Sequence, residues 1–317
     1  MASYLIAIIV LFVVEAIYLR IAEHYEASRQ RPVERSSHSR PTITGGGCIF
    51  YIAAIVAAGL SPSLQVAYFA GGLSIAAIVS FIDDFKPLGV GVRLAAQLAS
   101  VVLILAGFTD IAEASTWLWL AAVPIAIAYL NAFNFMDGIN GITAAYSAVL
   151  LATLICLNNI LNFTEPQLPG LSLCAVVVFG FFNFRRRAIC FAGDVGAISI
   201  AVVTLYLLLS LIIATDSIWW MVLVAVYGVD TALTVVRRII RRENIFKAHR
   251  LHLYQYLSNE CGLRHTTVAA AYAGLQLAIN LGTWSARDFA AAYFFAVVAL
   301  LCGAHIAITV LATRRAR

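Results

Sequence analysis

The chain has 317 residues, of which 62% are hydrophobic and only 12% are charged, with a formal net charge of +5. Soluble domains carry about 25% charged residues, so the composition excludes an ordinary soluble protein and predicts a polytopic membrane protein. No polar stretch is long enough to fold by itself. We therefore expect one transmembrane domain over residues 1–317 and no nucleic-acid partner.

Long apolar runs predict an all-α fold with about 10 to 11 transmembrane helices, since one crossing takes about 20 residues. The first run, Tyr4 to Leu19, ends in charges without a small-residue cleavage site, so we interpret it as a retained helix. The six cysteines form no Cys-x-x-Cys pair and are expected to be buried thiols. The predicted spans cover residues 3–21, 46–61, 64–82, 91–108, 115–131, 141–161, 168–184, 196–214, 217–236, 267–283 and 289–312.

The basic residues predict the orientation of these helices. All but one of the 21 Lys and Arg residues would lie on one side of the membrane, the exception being Arg287. The positive-inside rule makes that side cytoplasmic, so the N-terminus is expected outside and the C-terminus inside. The basic loops are 20–44, 83–93, 185–195, 237–266 and 312–317.

A row of polar side chains interrupts the apolar sequence between the fifth and sixth spans. Asn131, Asn134, Asp137 and Asn140 recur at every third residue, and on a helix the first three could converge on one site. Carboxamides and carboxylates beside lipid are costly and usually functional. The alternative is a polar contact between helices.

Three carboxylates lie near the cytoplasmic ends of other predicted spans. Asp83 and Asp84 end the third span; adjacent carboxylates repel unless a cation intervenes, so the pair suits a base beside a metal. Asp194 precedes the eighth span and could either cap that helix or bind a hard cation. A merely charged helix terminus is the alternative for Asp83 and Asp84.

The basic loop 237–266 and a glycine run add groups that could bind phosphate. The loop contains His249, Arg250, His252 and Tyr254 after several arginines, and such a cluster can grip a diphosphate. A loop that only sets the topology would explain the arginines but not the histidines. Asp230 is expected to be a buried ionic partner with a structural role. The glycines 45–47 could let backbone amides approach an anion.

Together these groups suit phosphoryl transfer between a soluble nucleotide and a lipid, in which positioning and charge neutralisation dominate. From about residue 39 to 256 the chain carries, in this order, the motifs Pro-Thr…Gly-Gly-Gly, Asp-Asp, Asn-x-x-Asn-x-x-Asp-Gly-x-x-Gly, Gly-Asp-Val-Gly and His-Arg-x-His. This order of motifs resembles that of the polyprenyl-phosphate N-acetylhexosamine-1-phosphate transferases of the WecA/MraY superfamily. The His-Arg-x-His motif is similar to the branch that starts O-antigen or related surface polysaccharides.

The resemblance implies that a UDP-N-acetylhexosamine (UDP-GlcNAc or a 6-deoxy relative) gives its sugar-1-phosphate to undecaprenyl phosphate, releasing UMP at the bacterial inner membrane. It implies Mg²⁺, with Mn²⁺ as a substitute, and a two-fold dimer. Direct attack by the lipid phosphate and a covalent enzyme intermediate remain open mechanisms, and we favour direct attack. By resemblance Asp83 is the base and Asp84 supports it; the implied metal-site residues are Asp194, Asn134 and Asp137, and the implied substrate-binding residues are Asn131, Asn140, Asn183, Phe191, His249, Arg250 and His252.

Two positions depart from the family pattern. Asn140 replaces a second Asp, and an Arg-Arg-Arg-Ala stretch with one extra residue, 185–188, replaces a Pro-Pro-Ala-Lys-like stretch, which puts the role of Asn183 in doubt. Three alternatives stay open at this point. They are a phospho-MurNAc-pentapeptide transferase, an inactive scaffold of the same fold, and a polyprenyl-lipid flippase that uses Glu15 and Asp230. The gathering of the other acids at one surface argues against the flippase.

Overall fold

The structure is a computed structural model that describes residues 2–25, 28–30, 41–108, 116–244 and 249–315. Within these ranges each of the eleven predicted spans corresponds to a helix, so the all-α prediction is confirmed. The long helices are α1 (Ala2–Ala22), α2 (Cys48–Leu60), α3 (Leu64–Phe85), α4 (Val90–Ala106), α5 (Thr116–Met136), α6 (Ile142–Leu161), α7 (Gln167–Asn183), α8 (Gly193–Thr215), α9 (Ala225–Ile240), α11 (His265–Ser285) and α12 (Ala290–Arg315).

Short elements join the last four helices. A 3-10 helix, Ile218–Val224, leads directly into α9, so together they form one apolar stretch. A one-turn helix α10 (Leu253–Gln255) and a π-helical turn (Tyr256–Glu260) lie in the loop after α9. Residues 245–248 of the basic loop 237–266 lie outside the described part of the chain.

Helix length and composition identify a membrane protein. Among the described residues, seven helical stretches are long and apolar enough to cross a membrane, and α2, α4 and α7 are shorter apolar helices. Large apolar side chains along α1, such as Leu5, Ile9 and Ile17, are exposed. A helix that exposes such residues over its length is typical of a surface that faces lipid.

Helix α8 is the centre of the bundle. It packs against α2, α3, α5 and α6, and most of its side chains are buried, as expected for a helix that is apolar on all sides. Its first turn lies very close to the start of α2, because a Cβ atom on Gly47 would come within 2.3 Å of the Cα atom of Gly196. Small residues at this crossing bring the two backbones together.

Two of the three amides in the glycine run are used within the protein and are not free to bind an anion. The N–H groups of Gly46 and Gly47 donate to the carbonyl oxygens of Phe191 and Ala192, at 2.9 and 3.0 Å. The preceding residues Thr42–Ile43 pair with Arg29–Gln30 as a small antiparallel ladder, and Ile43 forms a parallel bridge with Cys190. The run therefore joins the start of α2 to the segment before α8.

Candidate active site

Two of the predicted acids share one arginine at the ends of three helices. The Arg93 Nη1 atom lies 3.2 Å from Asp83 Oδ2 and 3.5 Å from Asp194 Oδ2. The carboxyl groups of Asp83 and Asp194 are themselves within hydrogen-bonding reach of each other. Asp83 also accepts a hydrogen bond from the Leu88 N–H. Two carboxylates in contact repel each other unless a proton or a cation neutralises part of their charge. The single positive charge of Arg93 balances only one of the two negative charges.

The neighbouring acid, Asp84, has a different environment. Its Oδ1 accepts from the backbone N–H of Asp194 at 2.8 Å, and its Oδ2 accepts from that of Val195 at 3.0 Å. These are free N–H groups of the first turn of α8, where negative charge is also favoured by the helix dipole. A Cβ on Gly193 would lie 2.5 Å from Asp84 Oδ2, so the missing side chain makes the close approach feasible. Asp84 thus holds the backbone that carries Asp194.

Asn134 and Asp137 complete this cluster from the end of α5. The Asn134 carboxamide hydrogen-bonds to Asp194, and Asp137 Oδ1 accepts from Thr143 Oγ1 at 2.5 Å. Burial and the nearby charge of Asp194 raise the pKa of Asp137 to about 7, against the hydrogen bond from Thr143. Asp137 therefore lies in a dry and negative environment that would favour a bound cation.

Asn131 is placed one turn further into the membrane and makes a contact between helices. Its Nδ2 donates to Gln97 Oε1 at 2.7 Å and to the Ile127 carbonyl at 2.8 Å. This corresponds to the alternative interpretation of the polar row, and both donor bonds of the carboxamide are used. The row of polar residues therefore has two parts. Asn134 and Asp137 lie in the cluster with Asp194, whereas Asn131 connects α5 to α4.

Asn140 and Asn183 brace the loop after α5 against the turn after α7. Asn183 accepts from the Gly141 N–H at 2.7 Å and donates to the Cys190 carbonyl at 2.8 Å, and only 4% of it is exposed. Asn140 Nδ2 donates to the carbonyl oxygens of Arg185 and Arg186, at 3.1 and 3.4 Å. The structure thus places both carboxamides in the scaffold that positions the loop.

The histidine loop is organised by Asp230. Both backbone N–H groups at the start of α10, those of Leu253 and Tyr254, donate to this carboxylate. Tyr272 donates to it at 2.6 Å and His252 Nδ1 lies 3.3 Å away. Only 2% of Asp230 is exposed, so it is the buried ionic partner that the sequence predicts. His305 and Thr234 add further contacts to the same carboxylate.

The two loop histidines each keep one ring nitrogen without a partner among the described residues. These atoms are His249 Nδ1 and His252 Nε2, both buried, and the two rings stack with centroids 5.0 Å apart. Burial, helped by the charge of nearby Arg238, lowers the pKa of His249 to about 4. Arg250 instead pairs with Glu260 at 2.9 Å. Buried nitrogens without partners are donors or acceptors that a ligand could use.

Tyr254 connects this loop to the polar segment of α5. Its hydroxyl donates to the Phe135 carbonyl at 2.8 Å, and a Cβ on Gly138 would lie 2.1 Å from the same hydroxyl oxygen. Phe135 also contacts the rings of His249 and His252, with centroids 6.1 Å away in each case. The histidines therefore lie beside the helix that carries Asn134.

A magnesium ion fits the acidic half of this site. Among the described residues, no group of three or more His, Cys, Asp or Glu side chains forms a ready-made metal cage. Mg²⁺, however, usually takes one or two carboxylates and completes its shell with water and substrate phosphates. Asp194, which shares a single cation with Asp83, and Asp137 in its dry and negative environment provide that kind of donor set.

Sequence reasoning missed Arg93 and Thr143 at the site and Gln97, which contacts Asn131 between α4 and α5. Arg93 was grouped with the basic residues that set the topology, although its two carboxylate contacts place it between Asp83 and Asp194. Thr143 and Gln97 gave no motif signal. Phe191 is partly exposed in the segment joined to Ile43 and Gly46 by backbone hydrogen bonds.

Several known proteins are similar to this chain in sequence. The sequence model of "Glycosyl transferase family 4" matches residues 66–212, which contain Asp83, Asn134, Asp137 and Asp194. The "Probable undecaprenyl-phosphate N-acetylglucosaminyl 1-phosphate transferase" of Bacillus subtilis is 24% identical over 287 residues, covering 83% of this chain and 78% of the relative.

Proteins named phospho-N-acetylmuramoyl-pentapeptide-transferase are also similar. The one from Latilactobacillus sakei is 27% identical over 213 residues, covering 58% of this chain and 66% of the relative. The one from Enterococcus hirae is 24% identical over 273 residues, covering 74% of this chain and 82% of the relative. The chain therefore resembles sugar-1-phosphate transferases of the WecA/MraY superfamily, and the acids of α3, α5 and α8 gathered at one end of its membrane bundle agree with that resemblance.

Proposed function

We propose that this chain transfers an N-acetylhexosamine-1-phosphate from a UDP-N-acetylhexosamine to undecaprenyl phosphate and releases UMP. The printed name of the Bacillus subtilis relative, an N-acetylglucosaminyl 1-phosphate transferase that acts on undecaprenyl phosphate, supports the acceptor and the kind of donor. The product would start a lipid-linked surface polysaccharide such as an O-antigen, as the His-Arg-x-His motif suggests.

The observation that carries the proposal is the contact between Asp83 and Asp194 across Arg93. The Asp194 side chain is 30% exposed, whereas the Asp83 side chain is 9% exposed. A carboxylate that remains open to a ligand beside a second one, at the ends of membrane helices, is suited to a reaction between a water-soluble nucleotide and a lipid phosphate.

Asp194 would hold Mg²⁺, with Asn134 and Asp137 lining the same space. When bound, the ion would neutralise the charge that gathers on the transferred phosphate. Asp84 would act indirectly. It fixes the first turn of α8 and therefore the direction of the Asp194 side chain. Mn²⁺ has similar oxygen preferences and would be the expected substitute.

In the proposed reaction an oxygen of undecaprenyl phosphate forms a bond to the phosphorus that carries the sugar. The bond from that phosphorus to the bridging oxygen breaks, and UMP leaves with the electron pair. Asp83 would take a proton from the acceptor phosphate and so supply its more nucleophilic form. The Leu88 N–H and Arg93 both hydrogen-bond to the Asp83 carboxylate and so fix its position.

The histidine loop would bind the diphosphate of the donor. His249 Nδ1 and His252 Nε2 have no partner among the described residues, and Asp230 fixes the orientation of the His252 ring through Nδ1. Because the His252 Nδ1–H donates to Asp230, Nε2 could donate to a phosphate oxygen only in the doubly protonated ring, whereas a neutral His249 could donate from Nδ1 in its Nδ1–H tautomer. Arg250 would have to exchange Glu260 for the substrate.

The proposed location is the cytoplasmic face of the bacterial inner membrane. The distribution of Lys and Arg supports this orientation, because 20 of the 21 basic residues belong to the loops on the side of the acidic cluster. UDP-sugars are soluble and charged, so the donor site must open to an aqueous compartment.

Purified full-length chain in detergent, with undecaprenyl phosphate, Mg²⁺ and a panel of UDP-N-acetylhexosamines, tests the proposal. We expect UMP release with at least one donor and a lipid product whose mass identifies the transferred sugar. Absence of UMP release with every donor would contradict the proposal. Omitting Mg²⁺ should stop the release, and adding Mn²⁺ should restore part of it.

Transfer of phospho-MurNAc-pentapeptide is the second candidate, favoured by the names of several relatives. The chain lacks the triple His that marks this branch and has His-Arg-Leu-His at 249–252 instead. Including UDP-MurNAc-pentapeptide in the same panel separates the candidates. Turnover of that donor alone would replace the first proposal by the second.

A further inference from the structure

The turn after α7 carries charge that the reaction described above does not use. Residues 185–187 are three consecutive arginines. Arg185 folds back on α7, with its Nε donating to the Phe181 carbonyl at 2.5 Å and its guanidinium 4.4 Å from the Phe181 ring centroid. Arg186 and Arg187 are exposed and form no ion pair with any carboxylate in the described part of the chain. Two guanidinium groups are therefore available to a ligand.

The backbone of this turn is fixed to the loop that follows Asp137. Asn140 donates to the Arg185 and Arg186 carbonyl oxygens and is itself 94% buried, with 6% exposed. The Phe184 ring lies directly against Gly141, where a Cβ would come within 2.3 Å of a ring carbon. The backbone of the arginine turn is thus fixed to the loop that follows Asp137.

The contact also explains the two departures from the family pattern together. An aspartate at position 140 could only accept hydrogen bonds, and it would face the carbonyl oxygens of Arg185 and Arg186 with a negative charge. The carboxamide of Asn140 donates to both instead. Asn140 and the arginine turn therefore belong to one structural unit.

We infer that this unit, Asn140 with the turn 184–187, presents Arg186 and Arg187 to the phosphate groups of a substrate at the rim of the active site. The inference deepens the proposed function and rests on it for the identity of those phosphates. They belong either to the nucleotide donor or to the lipid acceptor, and guanidinium groups recognise both through the same paired hydrogen bonds.

Binding and kinetics of the Arg186→Gln/Arg187→Gln double variant test the inference. Calorimetric titration of the detergent-solubilised full chain with UDP and with inorganic diphosphate needs no turnover. If the donor supplies the phosphates, the dissociation constants should rise about tenfold, which corresponds to about 1.4 kcal/mol. If the acceptor supplies them, UDP binding stays unchanged and KM for undecaprenyl phosphate rises by a similar factor instead.

Arg20→Gln is the matched control, because Arg20 is an exposed arginine at the end of α1 on the same predicted side. Unchanged UDP binding and unchanged KM for both substrates in the double variant would overturn the inference. A loss of UDP binding or a rise in KM that Arg20→Gln reproduces would also overturn it. So would an effect that appears only as a changed response to phosphatidylglycerol in liposomes, because either result would mean that the arginines act only through general surface charge.

The binding arm keeps the inference separate from the proposed function. If the wild type turns over no donor and the double variant binds UDP more weakly than the wild type does, the proposed function is contradicted and the inference is supported. If the wild type turns over a donor and the double variant has unchanged binding and kinetics, the proposed function is supported and the inference is contradicted. A wild-type chain that binds neither probe and turns over no donor would contradict both.

A double-mutant cycle tests whether Asn140 acts through the turn. Asn140→Asp should weaken phosphate binding in the same direction as loss of the arginines, because the carboxylate cannot hold the turn. Combined with Arg186→Gln/Arg187→Gln it should add little, since residues in one network are not additive. Full additivity would overturn the coupling. Asn140→Ala removes the donor without adding charge and replaces Asn140→Asp if that variant does not fold.

Discussion

Asp194 and Asp230 are two carboxylates of the same bundle with opposite kinds of surroundings. Asp230 accepts from two backbone N–H groups and four side chains and is 2% exposed. Asp194 has 30% of its side chain exposed and shares Arg93 with Asp83, another carboxylate. The protein satisfies one acid completely and leaves the other short of positive charge.

The difference distinguishes a structural acid from a functional one. A carboxylate whose oxygens are all occupied has nothing left for a ligand, however polar its motif looks in the sequence. A carboxylate that contacts another one is unfavourable until a cation arrives, so the protein keeps this arrangement where a cation is part of its chemistry. Asp230 therefore holds the histidine loop together, and Asp194 is the acid that a bound metal would complete.

The largest effect should come from removing the charge of Asp194. Asp194→Asn preserves the size of the side chain but halves the acidic pair, so kcat for UMP release should fall about 10³-fold, as when a preorganised charge-stabilising group is lost. The melting temperature should change little, because the side chain is partly exposed. Asp216→Asn, at the exposed far end of the same helix, is the control and should keep full activity. Equal activity in both variants would contradict the assignment.

Asp230 should behave in the opposite way when it is truncated. Asp230→Ala leaves the Leu253 and Tyr254 amides and the His252 ring without an acceptor in a buried place. Breaking such a network should cost about 3 kcal/mol or more of unfolding free energy. Denaturation in detergent measures this loss, and Asp230→Asn should fall between the wild type and Asp230→Ala. A loss of kcat with unchanged stability would make Asp230 a member of the catalytic group instead.

The helices could be predicted from the sequence, but the partners of most site residues could not. Apolar runs locate the eleven long helices of the described residues, because a helix beside lipid must be apolar along its length. The sequence also placed the acids of α3, α5 and α8 at one end of the bundle. The contacts of each acid depend on the rotation of its helix about the helix axis. Overall hydropathy does not predict that rotation.

Asp83 and Asp84 illustrate this limit. Adjacent residues on a helix point about 100° apart, and here one faces Arg93 while the other faces the backbone of α8. Nothing in the dipeptide distinguishes them. The sequence leaves the glycines 45–47 compatible with anion binding, because a glycine run suits several roles, and only the contact between Gly47 and Gly196 reveals close packing.

Asp84 lies between the two extremes of the comparison, and its truncation should have an intermediate effect. Asp84→Ala removes the acceptor for the Asp194 and Val195 amides and should cost about 1 to 2 kcal/mol, as for loss of a helix cap. Because the frayed turn carries Asp194, kcat should fall as well.

Ser63→Ala provides the matched comparison for Asp84. The Ser63 hydroxyl caps the start of α3, where it accepts from the Val66 N–H at 3.1 Å, at the end of that helix remote from Asp84. Its loss should reduce stability by a similar amount without reducing kcat. Equal kcat losses in Asp84→Ala and Ser63→Ala would mean that the position of Asp194 does not depend on Asp84.

The smallest effect at neutral pH should come from His249, whose influence appears only in acid. Burial and neighbouring positive charge lower its pKa to about 4 from the ordinary 6.5, so between these values the unfolded chain binds a proton that the folded chain does not. Stability should therefore decrease as the pH falls from 6.5 to 4. In His249→Gln this part of the decrease should disappear, whereas His24→Gln, at an exposed position, should leave it in place. Melting temperatures across that pH range provide the measurement, and parallel curves for wild type and His249→Gln would show that the buried imidazole is protonated as readily as a free one.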